Sequence, residues 1–83
     1  MITDGGLNMD KFDVGLFGER FAELKASRKI NVMKLAEALG VNHATVSRWE
    51  SGKLRPSIDS FFQIVQFFGV HPGYLLGTHD VVK

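Results

Sequence analysis

The most constraining feature of the sequence is the stretch of residues 31–52, in which two short apolar runs each have a helix-starting and a helix-ending residue. Asn31 opens the first run and Gly40 ends it, while Asn42 opens the second and Gly52 ends it. Asn favours helix starts because its side chain accepts from an orphan backbone N–H, and Gly favours helix ends because it tolerates the left-handed conformation. The pattern predicts two short capped helices.

The turn between these helices consists of Gly40, Val41 and Asn42. Val41 lies between two polar helix ends, so we expect it to fill the angle between the helices. Helices joined this tightly cross at roughly 90 to 120°. The stretch therefore predicts a helix-turn-helix with helices over residues 32–39 and 43–51.

The segment before this pair contains one more predicted helix. Apolar residues recur at helical spacing over residues 14–27, behind a candidate cap at Asp13. Gly15 and Gly18 should weaken its first turns, because Gly has a low helix propensity. Residues 1–13 show no sustained period and are predicted to be a flexible arm.

Two helices are predicted after the pair. The longer one covers residues 58–68, between a Ser57 cap and Gly69. A short one follows His71 and ends at Gly77. The prediction is thus one all-α domain over residues 14–77, followed by a tail of residues 78–83 without a structural signal.

The angular positions of the side chains divide the helix over residues 58–68. At 100° per residue Phe62 lies about 40° from Ile58, and Phe67 lies about 180° from it. Phe67 and, at the margin, Phe62 are therefore left for contacts outside the core. The stripe predicted to be buried consists of Ile58, Phe61, Ile64, Val65 and Phe68.

The same arithmetic gives the helix that begins at His43 two different sides. Val46, Trp49 and Glu50 lie on one side, which is expected to pack. The opposite side is small or polar and suits insertion into a groove. It carries Ala44, Ser47 and Arg48, between about 40° and 140° from His43.

Composition limits the class of protein. The 83 residues, 45% of them hydrophobic, suffice for one small core, and the absence of cysteine excludes disulfides and thiolate metal sites. No apolar run approaches the length of a membrane span, and the N-terminus lacks a signal pattern, so we expect a soluble cytoplasmic protein. The net charge of +1 is nearly neutral, so any case for nucleic acid depends on where the basic residues lie.

Several fragments occur together in a specific order and spacing. They are GERF from residue 18, LAEALGV from 35, TVSRWESG from 45, PS from 56, FGV from 68 and YLLG from 74. With these fragments the chain resembles, from about residue 17 to 77, the Cro and lambda-repressor type of helix-turn-helix domain, called the Xre family. The resemblance implies an all-α, compact five-helix bundle of the lambda-repressor-like DNA-binding type.

The resemblance also implies sequence-specific binding to double-stranded DNA by a bacterial or phage transcriptional regulator, usually a repressor. Its base-reading positions fall on His43, Ala44 and Arg48, with Ser47 beside them. For His43, a capping or phosphate role is an alternative to base reading. The expected phosphate-binding residues are Asn31, Val32, Asn42, Thr45, Lys53 and Arg55. The family commonly has Gln where this chain has Val32, so one side-chain contact is lost.

Two further residues have structural roles in this interpretation. Glu50 is expected to pair with Lys25, where the family more often has Arg, so the bridge should be less directional. Trp49 is expected to be a ring at the edge of the core, packing towards the loop of residues 53–56, and not a platform for stacking bases.

Domains of this type normally bind as two-fold dimers, with half-sites about 34 Å apart. We expect a homodimer through the last two helices. The apolar candidates for its interface are Phe67, Phe62, Tyr74, Val81 and Val82.

Other functions were weighed against this one. An antitoxin, which holds a toxin protein on its apolar surface and autoregulates its own promoter, is the main alternative. A degenerate domain kept only for dimerisation is a third. An enzyme, a metal site or a cofactor is not expected, because the three histidines are dispersed and no phosphate-cradling Gly motif occurs.

Overall fold

The computed structural model describes residues 12–82, which form five α-helices and no strand. The helices are α1 (Val14–Ser27), α2 (Val32–Leu39), α3 (His43–Glu50), α4 (Ile58–Phe68) and α5 (Pro72–Leu76). None of them is long and apolar enough to cross a membrane. The predicted fold class is confirmed, with α2 and α3 as the helix-turn-helix. Residues 1–11 of the predicted arm, and Lys83 of the predicted tail, lie outside the described residues.

Every helix begins at a residue whose side chain caps its first turn. The cap of α5 is His71, whose Nδ1 accepts from the backbone N–H of Gly73 at 2.9 Å. Gly40 and Gly69 end α2 and α4 with φ angles of 72° and 64°. The other four caps accept from the backbone N–H three residues further on, and they are Asp13, Asn31, Asn42 and Ser57.

The core is built around the aromatic residues of α1. Phe17 and Phe21 stack with their ring centroids 5.6 Å apart, and Phe21 meets the rings of Trp49 and Phe68 edge-on. Trp49 is only 2% exposed, so its predicted position at the core edge is wrong. The reason is that α3 packs directly on α1, which covers the indole. The other buried apolar residues are Leu24, Leu35, Ala36, Leu39, Val46, Ile64, Val70 and Leu75.

Only part of the apolar surface of α4 is covered by the core. Ile64 and Phe68 are buried as predicted, and Phe61 and Val65 are half-buried. Ile58 is 80% exposed, so its predicted place in the buried stripe is wrong. Ile58 is the first residue of α4, and no other described element extends over it.

Residues 78–82, which carry no structural signal in the sequence, are tied to α1 and α5. The Arg20 guanidinium donates to the carbonyl oxygens of Tyr74 at 2.6 Å and His79 at 2.7 Å. It also lies 4.5 Å from the centre of the Tyr74 ring. The His71 and His79 rings stack 3.8 Å apart. The end of the described chain thus packs against the body of the domain.

Candidate nucleic-acid interface

One side of α3 is buried and the opposite side is open. Val46 and Trp49 are buried, with exposed fractions of 0% and 2%. The exposed side is continuous, because its members are one, three or four residues apart on the helix. It consists of the four predicted base-reading residues, His43, Ala44, Ser47 and Arg48. The structure therefore places all four together on one uncovered face.

The C-terminal end of α3 is held by a close approach of α1. A Cβ atom added to Gly18 would lie 2.5 Å from the carbonyl oxygen of Trp49 and 2.7 Å from that of Glu50. Only a residue without a Cβ lets the two backbones come this close. The sequence analysis assigned Gly18 only a weakening of α1. Its packing role depends on a residue about thirty positions away, and no local pattern reports that.

A second contact at the same end of α3 is electrostatic. The Lys25 ammonium lies 3.2 Å from Glu50 Oε2, and both side chains are mostly buried. The pair does not have the geometry of a hydrogen bond, so the attraction is that of two charges without strong direction. The predicted pairing is present, with the limited directionality expected of Lys.

The N-terminal end of α3 is fixed by its cap. Asn42 Oδ1 accepts from the Thr45 backbone N–H at 2.9 Å and from the Thr45 hydroxyl at 3.1 Å. The Thr45 hydroxyl therefore donates its proton to Asn42 and cannot donate it to a phosphate at the same time. The side-chain NH₂ of Asn42 is the donor that this cap can direct towards a phosphate.

The start of α2 offers backbone donors beside α3. Asn31 uses its side chain and its carbonyl oxygen to accept from the backbone N–H groups of Lys34 and Leu35. The amides of Val32 and Met33 precede these bonds, at the positively polarised end of the helix dipole. The Val32 backbone amide is therefore available as a donor although the Val32 side chain cannot hydrogen-bond.

A cleft of about 590 Å³ separates the starts of α2 and α3. Asn31 and Lys34 line it on the α2 side, and Asn42 and His43 line it on the α3 side. Glu37 also borders it and contributes a negative charge, and the rest of the lining is apolar, from Met33, Ala36 and Val41. Its walls carry three of the predicted contact residues, Asn31, Asn42 and His43.

Two basic residues lie in the loop directly after α3. Lys53 and Arg55 are both exposed. Gly52, with a φ of 76°, reverses the chain, and the Lys53 backbone N–H donates to the Arg48 carbonyl oxygen at 2.9 Å. The loop is therefore anchored to α3, and its two cations lie beside the C-terminal end of that helix.

The five predicted interface residues do not share one face. Phe62 is 62% exposed and Phe67 is 40% exposed, but they lie about 140° apart around α4. Tyr74 is half-buried beneath Arg20. Val81 and Val82 lie in the exposed end of the chain, where the Val82 carbonyl oxygen accepts from the His71 backbone N–H at 2.7 Å.

Two exposed apolar residues near Phe62 were missed by sequence reasoning. They are Ile58, at the start of α4, and Leu76, at the end of α5. The available signal for Ile58 was its position immediately after Pro56 and Ser57. A residue in the first turn lies at the end of its helix, so neighbouring elements cover it less easily than they cover residues in the middle of the helix.

The histidines do not define a metal site. His43 lies on α3, far along the chain from the stacked pair His71 and His79. Within the part of the chain that the structure describes, no three His, Asp or Glu side chains are grouped so that they could hold a metal ion.

Comparison with known proteins identifies the class. The family model described as helix-turn-helix matches residues 22–75. The chain is 33% identical over 66 residues to BcrR, a helix-turn-helix transcriptional activator of Enterococcus faecalis, which is 80% of this chain and 32% of that protein. It is 23% identical over 65 residues to YobD, a helix-turn-helix transcriptional regulator of Bacillus subtilis (strain 168), which is 78% of this chain and 58% of that protein.

Among solved structures, the chain is similar to the P22 c2 repressor crystallised with the synthetic operator 9T in the presence of Tl⁺. The TM-score is 0.73 at 26% identity, covering 77% of this chain and 97% of that one. These findings define a class of DNA-binding transcription regulators and not of enzymes. The chain belongs to the helix-turn-helix family, of the Xre type. It spans about a third of the length of the first relative and less than two thirds of the second.

Proposed function

We propose that this chain binds a specific double-stranded DNA sequence by inserting α3 into the major groove. The observation that carries the proposal is the exposed face of α3, which is free of contacts with the rest of the fold while both ends of the helix are held. An α-helix fits the major groove, where each base pair presents a distinct pattern of donors and acceptors. The similar P22 c2 repressor was crystallised with an operator, which supports the same mode of binding.

The side chains on this face suit direct reading of bases. Arg48 can make a bidentate contact with O6 and N7 of a guanine, worth roughly 1 to 3 kcal/mol of discrimination. Ala44 presents a methyl group that can contact the methyl of a thymine. Neutral His43 can donate or accept, and its place at the cleft edge also allows a phosphate contact. Ser47 supplies a small hydroxyl beside Arg48.

Phosphate contacts then fix the register of α3 on the duplex. The backbone amides at Val32 and the side chain of Asn31 face one strand from the start of α2. The Asn42 amide adds a neutral donor, and Thr45 acts mainly by orienting it. Lys53 and Arg55 supply the cations, from the loop that follows the C-terminal end of α3.

The regulatory role that follows is that of a repressor of a bacterial or phage promoter, acting in the cytoplasm as a homodimer through α4 and α5 on a two-fold operator. Each copy presents one reading helix and therefore reads one half-site.

Selection of bound sequences from random duplex DNA tests the proposal. We expect a two-fold site, with half-sites one helical turn apart. Arg48→Ala should relax the preference at one guanine, because it removes a base contact. Lys53→Ala should weaken all sequences about equally and lower the salt slope by roughly one unit, because it removes one phosphate contact.

Lys53→Ala is the matched control for Arg48→Ala, because each removes one exposed cation from the same surface. Equal loss across all sequences for both variants would remove Arg48 from base reading. Failure of the wild-type protein to enrich any sequence would reject specific DNA binding.

A further inference from the structure

We propose that His43 takes up a proton when the chain binds DNA and contacts a phosphate as a cation, so that the affinity for DNA rises as the pH falls. This inference rests on the proposed function and deepens it, because it names a way in which binding at the same site is regulated. It also separates the two roles left open for His43, which are the reading of a base and the contact with a phosphate.

The His43 imidazole is accessible on the surface of the protein. It is exposed at the first residue of α3, and no hydrogen bond joins either ring nitrogen to another group within residues 12–82. The other two histidines differ, because their rings stack 3.8 Å apart and His71 Nδ1 accepts from the Gly73 backbone N–H. His43 is therefore the histidine that can gain a proton and meet a ligand without breaking a contact of the fold.

His43 lies on the wall of the cleft of about 590 Å³ between the starts of α2 and α3. Asn31 lines the same cleft on the α2 side, and Asn42 lines it beside His43. Asn42 Oδ1 is occupied by the backbone N–H and the hydroxyl of Thr45, which leaves the NH₂ group as its remaining donor. A phosphate bound in this cleft would lie beside His43. Both ring nitrogens of a protonated imidazole are donors, whereas a neutral imidazole has only one donor.

The charges around His43 in the free protein oppose one another. Glu37 and Lys34, both from α2, line the cleft with it, and Glu37 favours a proton on the imidazole whereas Lys34 disfavours one. The positive end of the α3 dipole also disfavours it, because His43 is in the first turn. Within α3 the nearest charged residue is Arg48, about 140° away around the helix. A DNA phosphate in the cleft is the added negative charge that favours the protonated imidazole.

The direction of the pH effect follows from linkage between the proton and the DNA. Histidine is the side chain whose charge ordinarily changes between about pH 5 and pH 8, where carboxylates and DNA phosphates stay charged. If DNA strengthens the binding of the proton, the proton strengthens the binding of DNA by the same factor. The affinity should therefore be higher on the acid side of this range and fall as the pH rises. One ion pair at about 4 Å in water corresponds to roughly a fivefold change in affinity.

The experiment measures DNA affinity by fluorescence anisotropy at about pH 8 and about pH 6, over a range of salt concentrations. The two probes are the duplex enriched by the selection and a scrambled duplex of the same length and composition. We expect the wild-type affinity to rise roughly fivefold at the lower pH on both probes, with a salt slope steeper by roughly one unit, because one more phosphate is neutralised. His43→Gln should lose this dependence on pH, because Gln can donate a hydrogen bond but cannot gain a charge.

Two further variants serve as controls. His79→Gln is the matched control, because it removes an exposed histidine that does not line the cleft, and it should keep the full dependence on pH. Glu37→Gln identifies which negative charge holds the proton. If a DNA phosphate is the partner of His43, this variant should still gain affinity at the lower pH. Thermal unfolding at both pH values shows that each variant is folded.

Several outcomes would overturn the proposal. A dependence on pH that persists in His43→Gln, or that is lost equally in His79→Gln, would remove His43 from this role. Loss of the dependence in Glu37→Gln would make Glu37, and not a phosphate, the partner of the protonated ring. An effect confined to the enriched duplex would assign His43 to a base. A protein that selects a sequence with an affinity independent of pH would reject this inference alone, whereas a protein that enriches no sequence would reject the proposed function.

Discussion

At the scale of single residues, Gly18 sets how closely α1 and α3 approach each other. It lies in α1 where that helix crosses the last turn of α3, and the carbonyl oxygens of Trp49 and Glu50 occupy the space that a Cβ would need. Because α1 carries the aromatic core, this contact ties the orientation of α3 to the interior of the domain. A residue with no functional group thus determines where the functional groups of α3 stand.

Gly18→Ala should lower the free energy of unfolding by about 1 to 3 kcal/mol, because the added methyl group overlaps backbone atoms that cannot rotate away. The matched control is Gly15→Ala on the same helix. Its added Cβ would meet only the Asp13 side chain, at 3.4 Å. Chemical denaturation checks both, and the control should be stabilised by about 0.5 to 1 kcal/mol. A stability for Gly18→Ala equal to that of the control would contradict the packing role.

At the scale of helices, the domain is organised by its caps. The helix-turn-helix elements α2 and α3 have only eight residues each and would be marginal in isolation. Both start at an Asn that accepts from the backbone three residues later. In α3 the cap residue Asn42 also faces the cleft where we place a phosphate. Under the proposed function, the Asn42 side chain both stabilises α3 and contacts DNA, and substitution can separate the two effects.

Asn42→Ala should cost about 1 kcal/mol of stability, because the Thr45 backbone N–H and hydroxyl lose their side-chain acceptor. Asn42→Asp keeps an acceptor of the same length, so its stability should match the wild type. It also places a negative charge beside the DNA backbone, so its affinity for DNA should fall by roughly tenfold or more.

Denaturant unfolding and fluorescence anisotropy with operator DNA measure these two effects independently. If Asn42→Asp binds DNA as well as the wild type, Asn42 does not face a phosphate.

At the scale of the whole molecule, Arg20 joins the two ends of the described chain. Its guanidinium bonds to the carbonyl oxygens of Tyr74 and His79, and it lies 3.5 Å from the Asp80 carboxylate. These contacts hold α5 and the residues after it against α1.

Arg20→Ala should destabilise the domain by about 2 kcal/mol, because two carbonyl groups lose a charged donor. Hydrogen exchange should accelerate at the amides of His71 and His79, which are bonded within this region. Arg28→Ala is the control, because Arg28 donates only to Phe68 at the end of α4. It should leave exchange at His71 and His79 unchanged, and acceleration in both variants would show that the effect is not specific to Arg20.

The features that the sequence predicts well are the local ones. Asn31, Asn42 and Gly40 act within one turn of their own position, so the bounds of α2 and α3 follow from short patterns. The exposed face of α3 follows from angular arithmetic alone. The same arithmetic failed for Ile58, because it gives the direction of a side chain and not whether another element covers that direction.

Features that depend on distant residues could not be predicted in this way. Trp49 is buried because α1 lies over it, and Gly18 matters because of that same crossing. The contacts of Arg20 join positions more than fifty residues apart in the chain. Each of these needs the assembled fold, whereas the identity of the candidate base-reading residues needs only the helix that carries them.

The open face of α3 has a consequence for how such a protein changes over generations. His43, Ala44, Ser47 and Arg48 contribute nothing to the buried interior, whereas Val46 and Trp49 between and beside them do. Under the proposed function, a lineage can therefore exchange these four outward residues and bind a different DNA sequence while the buried scaffold stays the same. In this arrangement, the residues that would set the DNA preference can change in evolution independently of the residues that maintain the fold.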